Sequence, residues 1–211
     1  IIKSGSPTYE VLFNNKKGIE KSKVLQKLKL KKEGYIVLTL HREENVGIKK
    51  NFDRVIEVIK VVSDKYKMPI IFSCHPRTKK WLEEEKITLP KNVLTMKPLG
   101  LFDFVKLEMN AFCVVTDSGT ISEESSMLNF PGVNIRETHE RLEAMDEGAV
   151  IMAGLNPERV LQAIEMAVSQ KRGDKRDFKA VVDYAGTNVS KKVVRVIVSY
   201  IDYVKRVVWS E

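Results

Sequence analysis

Cysteine, histidine and long apolar runs are all scarce in this chain. Two cysteines among 211 residues, Cys74 and Cys113, cannot build a disulfide framework. Both sit inside apolar stretches, where reduced core thiols are expected rather than zinc ligands. No apolar run reaches the roughly 18 residues that a bilayer-spanning helix needs, so no membrane partner is expected. No signal-peptide pattern opens the chain, which makes the cytoplasm the expected compartment. Aromatic residues make up 8%, and none interleaves with the short basic clusters KLKLKK and KRGDKR. The net charge of +8 is therefore not read as a nucleic-acid footprint. The three histidines, His41, His75 and His139, show no H-E-x-x-H or comparable spacing, so no metal and no cofactor is expected. The first residues, IIKSGSPTYEVL, include no initiator methionine, as expected of a piece of something longer.

What is present is a regular alternation. YIVLTL (35–40), MPIIFSC (68–74), NVLTM (92–96), FCVVT (112–116), GVNI (132–135) and AVIMA (149–153) read as strands. Between them lie stretches with apolar residues at helical spacing. In NFDRVIEVIKVVSDKY (51–66) these are Phe52, Val55, Ile56, Ile59 and Val62. RTKKWLEEE, LFDFVKLEMN (101–110), ISEESSML (121–128), a short stretch near 140–145 and PERVLQAIEMAVSQ (157–170) continue the pattern. Continuously apolar strands that alternate with helices predict an α/β fold, a Rossmann-like parallel sheet with helices on both faces. Residues 171–186 read as an irregular segment, and the final helix is apolar on two sides, which calls for more than one packing partner.

In such sheets ligands sit beyond the carboxyl ends of the strands. Those ends carry His41-Arg42-Glu43-Glu44-Asn45, His75-Pro76-Arg77, Lys97-Pro98-Leu99-Gly100, Asp117-Ser118-Gly119-Thr120 and Arg136 through Arg141, with all three histidines among them. Two readings of Asp117 to Thr120 stand side by side. In one, Ser118 and Gly119 lead an anion to a helix N-terminus, and Glu124, one turn in, accepts hydrogen bonds from a ribose diol. In the other, Ser118 is an N-cap while Glu123 and Glu124 complement the helix dipole. Arg42 and Arg77 are phosphate contacts or surface ion pairs by the same logic.

The motifs LTLHREENVG, CHPRT, PLGLFDFVKLEMNAFCVVTDSGTISEES and IRETHERLEAMDEG, in this order, resemble the carboxyl-terminal half of the non-hydrolysing UDP-N-acetylglucosamine 2-epimerases. The likeness runs from GSPTYEVL to YAGTNVSKKVVRVIVSYIDYV. It implies the second Rossmann-like domain of a GT-B fold, the one that holds UDP. Residues 1–34 would then lead from a missing first domain, 35–186 would form the UDP-binding domain, and the helix of 187–211 would pack back on the missing domain. His41 and Arg42 match the histidine and first arginine of the family's H-R-R-E-N, which makes them the implied catalytic pair. His75 matches its second strand-end histidine. Ser118, Gly119 and Glu124 match S-G-G-x-x-E-E, with Thr120 in place of the second glycine. Arg136, Thr138, Glu140 and Arg141 match R-x-T-x-E-R-P-E, and Phe102 to Phe104 lie where the family's backbone meets uracil.

Three departures accompany the match: Glu43 for an arginine, Thr120 for a glycine, and Leu142 for a proline. The first two are similar to the branch that converts UDP-2-acetamido-2,6-dideoxy-L-talose to UDP-N-acetyl-L-fucosamine; the alternative the resemblance leaves open is UDP-N-acetylglucosamine to UDP-N-acetylmannosamine. The resemblance further implies inversion at sugar carbon 2 by elimination and re-addition of UDP, a homodimer in the full-length form, and catalytic carboxylates on the missing domain. The chain alone would then be inactive. The donor half of a GT-B glycosyltransferase, a UDP-sugar sensor and a basic nucleic-acid binder are the competing expectations.

Overall fold

Each apolar run read as a strand forms one. They are β1 (Ile36–Leu40), β2 (Ile70–Cys74), β3 (Val93–Met96), β4 (Cys113–Thr116), β5 (Gly132–Asn134) and β6 (Ile151–Met152). In the computed structural model, which describes residues 2–138, 141–173 and 175–210, all six run parallel in the order β3-β2-β1-β4-β5-β6. The register places Val37 between Ile71 and Val114, and Thr39 beside Thr116. The pleat then sends alternate residues to opposite layers.

Ile36, Leu38 and Leu40 pack with α4 (Lys49–Tyr66), α5 (Pro76–Glu84) and α9 (Pro157–Val168). Tyr35 and Val37 pack with α6 (Leu101–Asn110), α7 (Ile121–Leu128) and α8 (Leu142–Asp146). Both faces are covered, which is why the strands carry no polar alternation. On α4 the stripe of Phe52, Val55, Ile56, Ile59 and Val62 is wholly buried. Burial of each such side chain contributes roughly 1.5–3 kcal/mol. The helix α9 opens on Asn156, whose side chain accepts from the Arg159 N–H at 3.1 Å, with Pro157 in the first turn.

Ahead of the sheet, α1 (Pro7–Lys21) starts at the cap residue Ser6, whose Oγ accepts from Thr8 N–H at 3.1 Å. Its Leu12 and Ile19 pack on Val105 of α6, and a single turn, α2 (Val24–Lys27), follows. Another single turn, α3 (Glu43–Val46), comes directly after β1, too short to leave a periodic signal. The expected strand at 149–153 shrinks to two residues. The Ala149 carbonyl accepts from Ser125 Oγ at 2.9 Å, and this sheet edge has only a three-residue β5 to pair with.

The last helix, α10 (Val189–Val204), runs into a π-helical turn at Lys205–Trp209. Its Val189 is buried, whereas Val194, Ile197, Val198 and Ile201 are exposed. Cys74 and Cys113 are buried free thiols opposite the two ends of β1, so two strand spacings of about 4.8 Å and the offset along the strand keep them apart. No described helix is long and apolar enough to cross a membrane.

Candidate functional site

Strand order reverses between β1 and β4, the place where a doubly wound sheet opens a crevice for ligands. Asp117, just past β4, has no exposed surface and ties the two strand ends together. Its carboxylate accepts from the backbone N–H of His41 and of Arg42 at 3.1 Å each, and from Asn45 Nδ2 at 3.2 Å. His41 Nδ1 stands 3.1 Å from the same group. A buried carboxylate requires this many donors, and here they fix the loop after β1. In the neutral imidazole, Nδ1–H donates to Asp117 and Nε2 becomes the acceptor, so the pair is built to take a proton or, once charged, to give one.

Beside this pair lies a hollow lined by cations. A β-carbon on Gly119 would stand 3.6 Å from Arg42 Nη2, 3.7 Å from Arg141 Nε and 4.0 Å from Arg136 Nη1. Three guanidinium groups therefore converge over a residue that lacks a side chain. Arg136 is nearly buried and is held by Glu44 of α3, its Nε donating to Oε1 at 3.1 Å. Arg141 donates to Glu123, whose other oxygen accepts from Ser6 Oγ at 2.5 Å. Asn134, at the end of β5, donates to the Ser118 carbonyl at 3.3 Å and accepts from the Arg136 N–H at 3.0 Å.

The helix α7 points its N-terminus at this hollow. Its cap position is Thr120 rather than Ser118, and no side chain caps the helix. Ser118 Oγ instead accepts from the Thr120 N–H at 3.3 Å and lies 2.9 Å from the Thr120 hydroxyl. That settles one of the two readings of Ser118: it is not the N-cap. An uncapped N-terminus under three guanidinium groups has the geometry and charge to hold an anion.

A second hollow adjoins the first and shares His41, Ser118 and Thr120 with it. Its floor is Thr39 and Thr116, whose hydroxyls lie 2.5 Å apart, and its walls include His75, Phe104, Glu108 and Glu124. Thr120 Oγ1 donates to Glu124 Oε2 at 3.2 Å. Burial pushes Glu124 above the usual carboxylate range, while that hydrogen bond pulls the other way. Burial, and next the charge on Glu124, hold Glu108 well above it. His75 caps α5, its Nδ1 accepting from the Arg77 N–H at 3.3 Å, so in the neutral ring Nε2 carries the hydrogen.

Of the expected site residues, His41, Arg42, Ser118, Gly119, Thr120, Arg136 and Arg141 line the first hollow. His75, Phe104 and Glu124 line the second. Thr138 lines neither; its hydroxyl accepts from Arg136 Nη2 at 3.4 Å. Glu140, with His139, lies outside the described residues. Phe102 turns toward α1, its ring 2.8 Å from where a β-carbon on Gly18 would be. Arg77 forms an exposed ion pair with Glu43 at 3.5 Å.

Glu44 and Asn45 stand among the expected strand-end residues, but their bonds to Arg136 and Asp117, the places of Asn134 and Glu108, and the buried linkages of Asp117 and Glu123 are not legible in the sequence. One signal was there for Glu108: a carboxylate four residues after Phe104, on the apolar face of a helix. The other contacts join segments far apart in the chain, which spacing does not reveal.

Residues 1–198 match the family described as UDP-N-acetylglucosamine 2-epimerase. The structure of UDP-N-acetylglucosamine 2-epimerase from Rickettsia bellii is 41% identical, with a TM-score of 0.86 over 99% of this chain and 56% of that one. The Methanocaldococcus jannaschii UDP-GlcNAc 2-epimerase in complex with UDP-GlcNAc and UDP is 32% identical, with a TM-score of 0.81 over 93% of this chain and 54% of that one. By sequence, the UDP-N-acetylglucosamine 2-epimerase of M. jannaschii is 39% identical over 150 residues, 69% of this chain and 41% of that protein. The chain spans about half the length of the curated relatives it matches. A six-stranded parallel sheet with a cationic hollow at its switch point, matched along nearly its whole length by these proteins, places the chain in the UDP-N-acetylglucosamine 2-epimerase family.

Proposed function

We propose that this chain is the UDP-holding half of a nucleotide-sugar 2-epimerase. The observation that carries the reading is the convergence of Arg42, Arg136 and Arg141 over Gly119 at the N-terminus of α7. The diphosphate sits there, the ribose diol bonds to Glu124, and the uracil lies beside Phe104. In the reaction, a base removes the proton from sugar carbon 2 while the bond from carbon 1 to the diphosphate oxygen breaks. UDP leaves with the electron pair. Re-addition of UDP and protonation on the opposite face complete the inversion.

Charge that develops on the departing diphosphate is stabilised by groups already in place, the three guanidiniums and the helix end. His41, oriented by Asp117, supplies the proton or hydrogen bond at that oxygen. The carboxylates that exchange the carbon-bound proton belong to a first domain ahead of this chain. The exposed apolar faces of α10 pack back on that domain, and the complete protein is a cytoplasmic homodimer. No cofactor takes part.

The substrate within this class is UDP-2-acetamido-2,6-dideoxy-L-talose, giving UDP-N-acetyl-L-fucosamine, in preference to the alternative of UDP-N-acetylglucosamine, giving UDP-N-acetylmannosamine. Two departures support that choice: Glu43, which pairs with Arg77, and Thr120, whose hydroxyl bonds both Ser118 and Glu124 as a glycine could not.

Calorimetric titration of the 211-residue chain with UDP tests the reading. Arg42→Ala is expected to weaken UDP by tenfold or more, in line with the loss of a charge-assisted contact. Equal affinity in the variant would remove the anion site. Epimerisation by this chain alone would overturn its assignment as an inactive half. Joined to a first domain, it should interconvert epimers at carbon 2 with no acceptor present, an outcome that also separates it from a glycosyltransferase.

A further inference from the structure

We propose that Glu108 and Glu124 act together as a two-carboxyl clamp on the ribose diol. The proposal rests on the reading of the cleft as a nucleotide site, and it assigns Glu108 a role that the shared motifs do not.

Glu108 is a carboxylic residue at a core position. It follows Phe104 by four residues on α6, so both side chains lie on one face of the helix and line the same cleft. Only 2% of Glu108 is exposed, yet its Oε2 has no hydrogen-bond partner among the described residues. A buried oxygen in that state is a cost to the fold with no return inside the protein. Glu108 also lines the cleft, and a turn of its carboxyl toward the cleft would let a ligand supply that partner.

The chemistry of the pair fits a diol better than either group alone. Two carboxyls that share one buried site do not both ionise, so one keeps its proton. Glu108 is the more deeply buried, and burial with the nearby charge of Glu124 favours its neutral form. Burial and the charge on Glu123 raise Glu124 as well, but the less buried Glu124 keeps the donor hydroxyl of Thr120 and the charge of Arg141, which favour its anion. An anionic carboxylate only accepts hydrogen bonds, whereas a neutral acid also donates one. A ribose hydroxyl can therefore give its hydrogen to Glu124 and receive one from Glu108.

Titration of the chain and of its Glu108→Gln and Glu108→Leu variants with UDP, 2′-deoxy-UDP and 3′-deoxy-UDP tests the clamp. Glu108→Gln retains a neutral donor of the same shape and should bind UDP within about threefold of the parent. Glu108→Leu should lose roughly tenfold for UDP, the worth of one hydrogen bond in a buried site, and clearly less for the analogue that lacks the contacted hydroxyl. It should also melt higher than the parent, because a buried acid with no internal partner has been replaced by an apolar side chain. The infrared difference spectrum of the parent minus Glu108→Gln should show the carbonyl stretch of a protonated carboxyl at neutral pH.

Undiminished UDP affinity in Glu108→Leu overturns the clamp alone, and so does absence of that carbonyl band. A lower melting temperature with equal losses for all three ligands assigns Glu108 to the fold and overturns it too. Failure of the parent chain to bind UDP at all removes the nucleotide reading, and the clamp with it.

Discussion

Asp117 serves the backbone of the loop after β1 as much as any ligand, because His41 N–H and Arg42 N–H both end on its carboxylate. Asp117→Ala should cost about 3 kcal/mol in urea unfolding, since it leaves buried donors without partners. A cost under about 0.5 kcal/mol would show that water replaces the carboxylate. Gly119→Ala should separate fold from site. The added carbon meets no atom closer than 3.6 Å, so the melting temperature should stay within a few degrees, while the methyl group occupies the space where an anion would meet three guanidiniums. Full UDP affinity in Gly119→Ala would place the diphosphate elsewhere. The cysteines give a pH test. Burial pushes the Cys74 thiol up to about 11 and the Cys113 thiol up to about 12. The unfolded chain ionises these thiols near pH 8.5. The folded state thus binds more protons above that pH, and stability is full below it and falls as pH rises toward 11 and 12. Cys113→Val should flatten that alkaline decline in urea midpoints measured from pH 8 to 10.5; an unchanged slope would assign it to Cys74 and to the tyrosines Tyr35, Tyr66 and Tyr184, which burial also raises.

Among the elements, α1 reaches the site without lining it. Ser6 caps α1 and donates to Glu123, which in turn holds Arg141, so a residue near the start of the chain helps to position a cation of the hollow. Ser6→Ala should cost about 2 kcal/mol, a helix cap and a charge-assisted hydrogen bond together, read from the urea midpoint. It should weaken UDP as well; unchanged affinity would show that Glu123 holds Arg141 unaided. The helix α10 gives the opposite expectation. Val194 and Val198 are exposed, so Val194→Glu with Val198→Glu should leave the unfolding free energy within about 0.5 kcal/mol. The periodic elements α4, α6, α7 and α9 were legible in the sequence to within two residues of their ends, because each buries a stripe against the sheet. The single turns α2 and α3 were not, since four residues carry no period.

At the scale of the whole molecule, a ligand bound only by the folded chain stabilises it in proportion to the logarithm of its concentration. UDP at a hundred times its dissociation constant should add about 2.7 kcal/mol, a rise of roughly 5–10 °C in melting temperature for a chain of this size. No shift at that concentration would contradict the nucleotide site. Alternation of apolar runs with amphipathic stretches was enough to specify a covered parallel sheet, because burial on both faces leaves a strand no polar side. The rule that ligands lie past the strand ends points to His41, Arg42 and Ser118 to Thr120, which the fold gathers around one hollow. Sequence alone left open which strand ends adjoin, and the order β3-β2-β1-β4-β5-β6 decides it by setting β1 against β4. It also could not show that Asp117 bridges those two ends, that Glu123 links Ser6 to Arg141, or that Glu108 and Glu124 line one hollow. Each of these brings together residues separated by 16 to more than 100 positions. Local periodicity reports burial along one element; only packing of the elements brings such distant charges and donors within hydrogen-bonding reach.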